Sequence, residues 1–373
     1  MDIIFIVDNS GSMGDEIEGI RKNISDNFAD IIQAANIDYR VIMVTRFGKN
    51  WESCVPVVGW PCVTTQFGVC IEPPLSSKKC SPLPSKANNN SPRFYHFNLG
   101  KKSGDGIFVQ SNDSLCVALD SIKGSPISDF SGQISGGWGS LLLPEALKVF
   151  VEISDDNVSC GPYKETWDPD LKTLTKKQQA DAAKVVADKW EQKLFSLMPG
   201  QFGSSTKRNY IFHAITGIAP KDGAPKEAYA PGDNFRNARC GSAAQNSYVY
   251  QELAKRTGGL RYPVCNTSSY DVVFKAIAEG VKKESLVACE FEMPKSSGSG
   301  TIDPNNVWMK RTAVNKTETT IPHKSGANAC SAEGWYYDSN TSPKKLILCP
   351  TSCTNLKKDA GNKIDILLGC LPG

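Results

Sequence analysis

Ile3-Ile4-Phe5-Ile6-Val7 is an unbroken run of apolar, mostly β-branched side chains, and it narrows the choice of fold more than any other stretch of the chain. Such a run reads as a short strand buried on both faces, the kind found in parallel sheets covered by helices. Gly14 to Ala35 follows as an amphipathic helix, with Ile17, Ile20, Ile24, Phe28, Ile31 and Ile32 recurring at spacings of three and four. Tyr39 to Thr45 is the next strand. Parallel strands cannot be joined by a tight hairpin, so strand, helix and strand together predict a βαβ unit. The expected fold class is therefore α/β: a doubly wound, mostly parallel sheet with helices on its faces.

The pattern continues, with one interruption. Lys49 to Ser91 is rich in Pro, Ser and Asn, shows no helical period and carries four cysteines. A long structureless loop is out of place in a compact domain, so residues 49–92 are read as a surface insertion stapled by disulfides, with Arg93 to Leu99 returning as an edge strand. Beyond it, Asp113 to Leu119 reads as a short helix and Leu147 to Ser154 as a strand. Lys176 to Leu197 is a helix, Asn209 to Thr216 a strand and Tyr248 to Thr257 a helix stopped by Gly258-Gly259. Tyr270 to Val281 is the last helix of this part, with Ser268 or Ser269 as its cap. After about Glu284 the chain changes to short strand-like runs (286–292, 307–311, 345–349, 364–368). The expected organisation is a domain over 1–288 and a small disulfide-stapled β module over 289–373, too short to rely on its core alone.

The thirteen cysteines stand at 54, 62, 70, 80, 116, 160, 240, 265, 289, 330, 349, 353 and 370. A zinc site calls for paired Cys-x-x-Cys knuckles or nearby histidines. The tightest pair here is Cys349-x-x-x-Cys353, and His96, His213 and His323 stand apart from every cysteine. Disulfides are favoured, which implies an oxidising compartment. An odd count leaves one thiol over, and Cys116, on an apolar helix face, is the candidate for a buried free thiol. No stretch approaches the ~20 apolar residues of a transmembrane helix. The first apolar run is too short for a signal peptide, so Met1 is read as the start of a processed or trimmed chain. A formal charge of +3, from 42 basic and 39 acidic residues, argues against nucleic acid as a partner.

Chemistry concentrates directly after the first strand. Asp8, Ser10 and Ser12 form a D-x-S-x-S loop that offers one carboxylate and two hydroxyls within a single turn. These are hard oxygen donors, suited to Mg²⁺, Ca²⁺ or Mn²⁺ rather than zinc. Doubly wound sheets bind ligands at the carboxyl ends of their strands, which is where this loop falls. Gly11 and Gly14 are expected to let the loop fold tightly. The pattern alone arises by chance in about one chain in ten of this length; its position between a buried strand and an amphipathic helix is what gives it weight.

The run F-I-V-D-N-S-G-S-M resembles the metal-ion-dependent adhesion site of von Willebrand factor A-type (VWA) domains. The likeness reaches to about residue 288, through K-V-F-V-E-I-S-D-D and L-A-K-R-T-G-G-L-R-Y, and the arrangement is similar to that of secreted bacterial proteins of this class. The resemblance implies that Asp8, Ser10 and Ser12 ligate a divalent ion and that Asp155, just past its strand, joins them, with Asp156 behind it or on the surface. The family's second loop usually supplies a threonine. Here Asp113 falls at that position, with Ser111 and the Gly136–Ser140 stretch as alternatives. Three ionised aspartates would over-neutralise a divalent ion, favouring Ca²⁺ and weakening capture of an acidic group.

The functional expectation is a metal-dependent adhesion or protein–protein interaction domain of a secreted or cell-surface protein, whose protein partner completes the ion's shell through an acidic side chain. The alternative is a structural subunit of an extracellular appendage or surface assembly, joined by self-assembly without metal-dependent binding. An enzyme is not expected, because the chain lacks G-x-x-x-x-G-K-[ST], H-E-x-x-H and G-x-S-x-G. Trp138 reads as a packing residue. Trp335-Tyr336-Tyr337 reads as module core in preference to a carbohydrate-stacking cluster.

Overall fold

β1 (Asp2–Val7) is buried along its whole length, as its unbroken apolar sequence requires. The computed structural model describes residues 1–34, 39–53, 62–98, 109–124, 136–144, 146–159, 175–285, 289–293, 302–313, 316–357 and 363–370. From β1 the chain passes through α1 (Gly14–Asn23), a π-helical stretch (Ile24–Phe28) and α2 (Ala29–Ala34) to β2 (Arg40–Thr45). β3 (Trp51–Ser53) and β4 (Val63–Gln66) form a separate antiparallel ribbon, and β5 (Phe94–Asn98) follows. Next come α3 (Ser114–Ser121), β6 (Lys148–Ser154), α4 (Lys176–Leu197), α5 (Pro199–Phe202) and β7 (Tyr210–Thr216). α6 (Tyr248–Thr257), β8 (Arg261–Pro263) and α7 (Tyr270–Ser285) complete this part. The chain divides into two units, Met1–Ala278 and Glu279–Gly373.

The larger unit is built on a six-stranded sheet of order β5-β2-β1-β6-β7-β8, in which every neighbouring pair is parallel. β1 sends alternate side chains to opposite faces, and both faces are covered. Phe5 packs on Phe28 and, across 6.2 Å, on Phe274 of α7. Ile4 and Ile6 belong to the core on the other side with Leu115, Trp190 and Tyr250. Phe150 of β6 is the hub of that core, with the rings of Trp190, Phe202 and Tyr210 all within 5.7 Å of its own. Trp138 is fully buried there, donating from Nε1 to Ala118 O, which bears out a packing role.

The strand order reverses beside β1: β2 and β5 lie on one side, while β6, β7 and β8 lie on the other. The crevice between the carboxyl ends of β1 and β6 is thus the topological switch point, where such sheets bind ligands. Register places Val7 beside Ile153, so the residues that follow each strand emerge together.

Several expectations needed correction. The first helix is helical from Gly14 to Ala34 but widens at Ile24–Phe28. Asn23 turns its amide back onto Gly19 O there, and the local widening keeps Ile24, Phe28 and Ile32 buried. The insertion is stapled, as expected, by Cys70–Cys80, and it also contains the β3–β4 ribbon, which no hydrophobic alternation announced. Cys116 is not a free thiol; it is disulfide-bonded, as is Cys62. Its burial on α3 was read correctly, but burial does not distinguish a thiol from a half-cystine. A 3-10 turn, Thr267–Ser269, leads directly into α7 and contains both serines considered for its cap. The α6 stop stands as read, with Gly258 at φ 82°.

The smaller unit contains β9 (Glu290–Glu292), β10 (Ile302–Thr312), β11 (Glu318–Ile321), β12 (Trp335–Tyr337), β13 (Lys345–Leu348), α8 (Pro350–Lys357) and β14 (Lys363–Cys370). Its strands form two antiparallel sheets, β11-β10-β14 and β12-β13-β9. Met309, Trp335, Tyr337, Leu346 and Leu356 fill its core, so Trp335 and Tyr337 are core residues. Cys289–Cys353 and Cys330–Cys349 tie it together, the kind of reinforcement a small core needs.

Trp190 of α4 is fully buried against Phe150, Tyr210 and Phe212, whereas Val185 on the same helix is 54% exposed. Trp190→Ala is expected to lower unfolding free energy by about 3–5 kcal/mol, and Val185→Ala to change it by less than about 0.5 kcal/mol. Urea denaturation followed by circular dichroism measures both.

Candidate metal centre

The centre is assembled by two loops that leave adjacent parallel strands. Asp8 continues β1, its N–H donating to Ile153 O at 3.0 Å, and the chain then turns through Ser10 into a short 3-10 segment at Gly11–Met13. Asp155 and Asp156 leave the end of β6. Asp8 is gripped from both loops: Ser10 N donates to its Oδ1 at 2.8 Å, and Ser154 Oγ donates to its Oδ2 at 2.9 Å. Ser12 Oγ donates to Asp155 Oδ1 at 3.0 Å, and the Ser10 and Ser12 hydroxyls lie 3.0 Å apart. Asp155 Oδ2 also accepts from Ala244 N, and Asp156 N donates to Ser154 Oγ.

One carboxylate oxygen from each of Asp8, Asp155 and Asp156 lies within 4.8 Å of the other two. Ligand oxygens on opposite sides of a Ca²⁺ ion stand about 4.6–5.2 Å apart, so this spacing suits a single ion. The donors are all hard oxygens, with Ser10 half-buried and Ser12 exposed on the solvent side. Asp8 and Asp155 are completely buried, and Asp156 nearly so. A buried carboxylate is stable only when protonated or compensated by a cation. Burial pushes Asp8 up from 3.8 to about 7, and Asp156 to about 6 with added repulsion from Asp155. Burial also raises Asp155. The residues present therefore fit a hard divalent ion, which Asp8, Asp155, Asp156, Ser10 and Ser12 would hold.

The structure brings together four of the residues singled out from sequence: Asp8, Ser10, Ser12 and Asp155. Asp156, expected behind the site, belongs to the carboxylate group itself. Asp113 lies outside that group. It is buried at the start of α3, and its Oδ1 accepts from Gln110 N at 2.7 Å, which closes the turn into the helix. Ser111 instead hydrogen-bonds the Asp156 side chain. In the Gly136–Ser140 stretch, Ser140 Oγ donates to Gly137 O and so serves its own turn.

Two supporting residues were not legible beforehand. Ser154 bridges Asp8 and the Asp156 backbone, and the only sequence signal for it is its place in S-D-D after a buried strand. Asn9, the variable position of the motif, accepts from Thr45 Oγ1 and Arg46 N and donates to Phe67 O, tying the loop to β2 and the insertion. The insertion also explains the glycines. Gly14 has an ordinary helical φ of −57°, so torsional freedom is not its role. A Cβ there would meet the Phe67 ring at 2.8 Å, and one at Gly11 would sit 3.3 Å from Thr64 O.

Because the folded-state value of Asp8 lies above its unfolded value, the ion-free folded protein holds more protons than the unfolded chain between about pH 4 and 7. Stability in chelator is then highest at the acid end of that window and falls as pH rises, by up to about 1.4 kcal/mol per pH unit for each such carboxylate. Saturating Ca²⁺ should flatten this slope. Thermal melts from pH 5 to 8, with EDTA and with Ca²⁺, check both; a slope that rises with pH in EDTA contradicts the assignment.

No protein-family model matches this chain, and no curated protein matches it.

Proposed function

We propose that this chain is a von Willebrand factor A-type interaction domain of a secreted or cell-surface protein, which binds a protein partner through a divalent ion held at the β1–β6 crevice. The convergence of Asp8, Asp155 and Asp156 with the Ser10 and Ser12 hydroxyls at the topological switch point carries this reading. The bound ion supplies a Lewis-acidic point at which an oxygen of the partner completes the coordination shell. The chain's own residues hold the oxygens in place: Ser154 orients Asp8, Ala244 N orients Asp155, and Ser111 restrains Asp156.

Charge decides the finer preferences. Three ionised carboxylates exceed the two charges of the ion, and this favours Ca²⁺, which accepts more oxygens than Mg²⁺ or Mn²⁺. An acidic side chain of the partner binds best when Asp156 stays on Ser111 and off the ion, leaving the ion with its charge balanced by Asp8 and Asp155. The four described disulfides fit an oxidising compartment, and no helix among the described residues is long and apolar enough to cross a membrane.

A hydrolytic reading has little support from side chains. His96 is buried with its Nε2 on Thr45 O, and His213 is buried with its Nδ1 accepting from Leu260 N. Burial lowers both to about 4, so neither is available as a base at the crevice.

Calorimetric titration with Ca²⁺ tests the centre. Asp8→Asn is expected to weaken binding by roughly a hundredfold or more, and Ser154→Ala by about tenfold through loss of orientation. Asp156→Asn should cost more affinity than Asp113→Asn, since an amide at position 113 keeps the oxygen that Gln110 N needs. Equal loss in the two would return Asp113 to the ion. Partner capture from the producing organism's surface proteins that persists unchanged in EDTA would favour the structural-subunit alternative.

A further inference from the structure

The smaller unit carries a groove that the metal centre does not use. It opens where β11 ends and the chain runs through Pro322 and His323 alongside β12, and it encloses about 570 Å³, a volume suited to a small ligand. Trp335, Tyr337 and Ile321 make its floor, and all three are buried. The His323 ring stands on this floor, 4.4 Å from the Trp335 ring and 5.2 Å from that of Tyr337. Trp308, which also lines the groove, is 50% exposed although its strand neighbours Val307 and Met309 are buried. A large ring left half in water beside a preformed concavity marks a contact surface.

The polar lining is uncharged. Among the described residues no Asp, Glu, Lys or Arg lines the groove; the polar groups of its lining side chains are the amides of Asn305 and Asn340, the hydroxyls of Thr320, Ser325 and Tyr337, the indole N–H groups of Trp308 and Trp335, and the His323 ring. Desolvation lowers His323 below the usual imidazole value, so it too is neutral at pH 7. The amides are held in place: Asn305 Nδ2 donates to Asp303 Oδ1, and Asn340 Nδ2 donates to Ser325 O. Each such bond engages only part of an amide's capacity, since it has a second N–H and an oxygen to offer.

These features select among ligands. A phosphate or an acidic peptide would find no cation among these lining residues. An extended peptide adding to the rim would need free backbone groups, yet Pro322 has no N–H, its O accepts from Trp335 N, and Lys324 N donates to Trp335 O. A pyranose ring meets the requirements: it is neutral, has an apolar C–H face that stacks on aromatic rings, and carries hydroxyls around its edge. We propose that this groove binds a neutral saccharide, stacked on Trp308 and His323, with the amides of Asn305 and Asn340 bonding its hydroxyls. The site lies wholly within the smaller unit and is independent of the ion.

The full chain should be titrated with cellotetraose, maltotetraose, chitotetraose and mannotetraose, using tryptophan fluorescence and saturation-transfer NMR, with Ca²⁺ and with EDTA. At least one of them is expected to bind saturably, with equal affinity in both conditions and little change between about 50 and 500 mM salt, as befits a neutral ligand. Trp308→Ala should weaken that binding about tenfold, Trp308→Phe should restore most of it, and Asp8→Asn should leave it unchanged. Because Trp308 is half exposed, its replacement leaves the core of the unit intact, and a melting curve checks that. Absence of saturable binding by all four sugars, indifference to Trp308→Ala, or dependence on the ion or on salt would each overturn the proposal. Saturable sugar binding by an unaltered chain that binds no Ca²⁺ would support the groove and count only against the metal centre.

Discussion

The parallel pairing of β1 with β6 is the contact on which the rest of the site depends. Its register is held at both ends by buried polar groups. At the amino-terminal ends Asp2 lies opposite Lys148, their charged groups 3.7 Å apart and fully buried, and Lys148 Nζ also donates to Leu143 O and Ala146 O. At the carboxyl ends Ser154 Oγ donates to Asp8 Oδ2. A slip of one residue would turn every apolar side chain of β1 to the other face and break both polar contacts at once. The same register delivers Asp8 and Asp155, which are far apart in sequence, to a single crevice.

Bringing carboxylates together in a buried crevice costs free energy, and the surrounding structure offsets that cost only in part. Backbone N–H groups of Ser10 and Ala244 and the hydroxyls of Ser12 and Ser154 donate to Asp8 and Asp155. Burial still holds Asp8 and Asp156 well above the ordinary carboxylate value. Deeper in the sheet, Glu152 is fully buried and raised by burial as well, so negative charge is disfavoured throughout this end of the molecule. A hard cation relieves that cost where protons otherwise must, which couples ion binding to proton release and to stability.

The two units solve the problem of stability differently. The larger one has helices over both faces of a parallel sheet, with an aromatic hub around Phe150 on one face and Phe5, Phe28 and Phe274 on the other. The smaller one has two three-stranded sheets, a modest core and, among its described residues, two cross-links that join its segments. A rigid, disulfide-braced module can hold a concave surface open in water, with aromatic rings only partly covered, because its loops are not free to collapse onto them.

The α/β class, the buried first strand, α4 and α6 to the residue, and Asp8, Ser10, Ser12 and Asp155 were all legible in the sequence. They depend on local signals: hydrophobic period, stop glycines, and oxygen donors packed into one turn. The β3–β4 ribbon and α8 were not, since neither has a clear period, and the state of Cys116 was not, since an apolar helix face suits a buried thiol and a half-cystine equally. The place of Asp156 had the same origin. Position along the chain set it behind the site, but which carboxylates stand together depends on how loops leave adjacent strands. Sequence alone determined that an oxygen-rich loop ends a buried strand. Only tertiary structure, through the β1–β6 register and the Ser154 and Ser111 hydrogen bonds, decided which acids stand beside it.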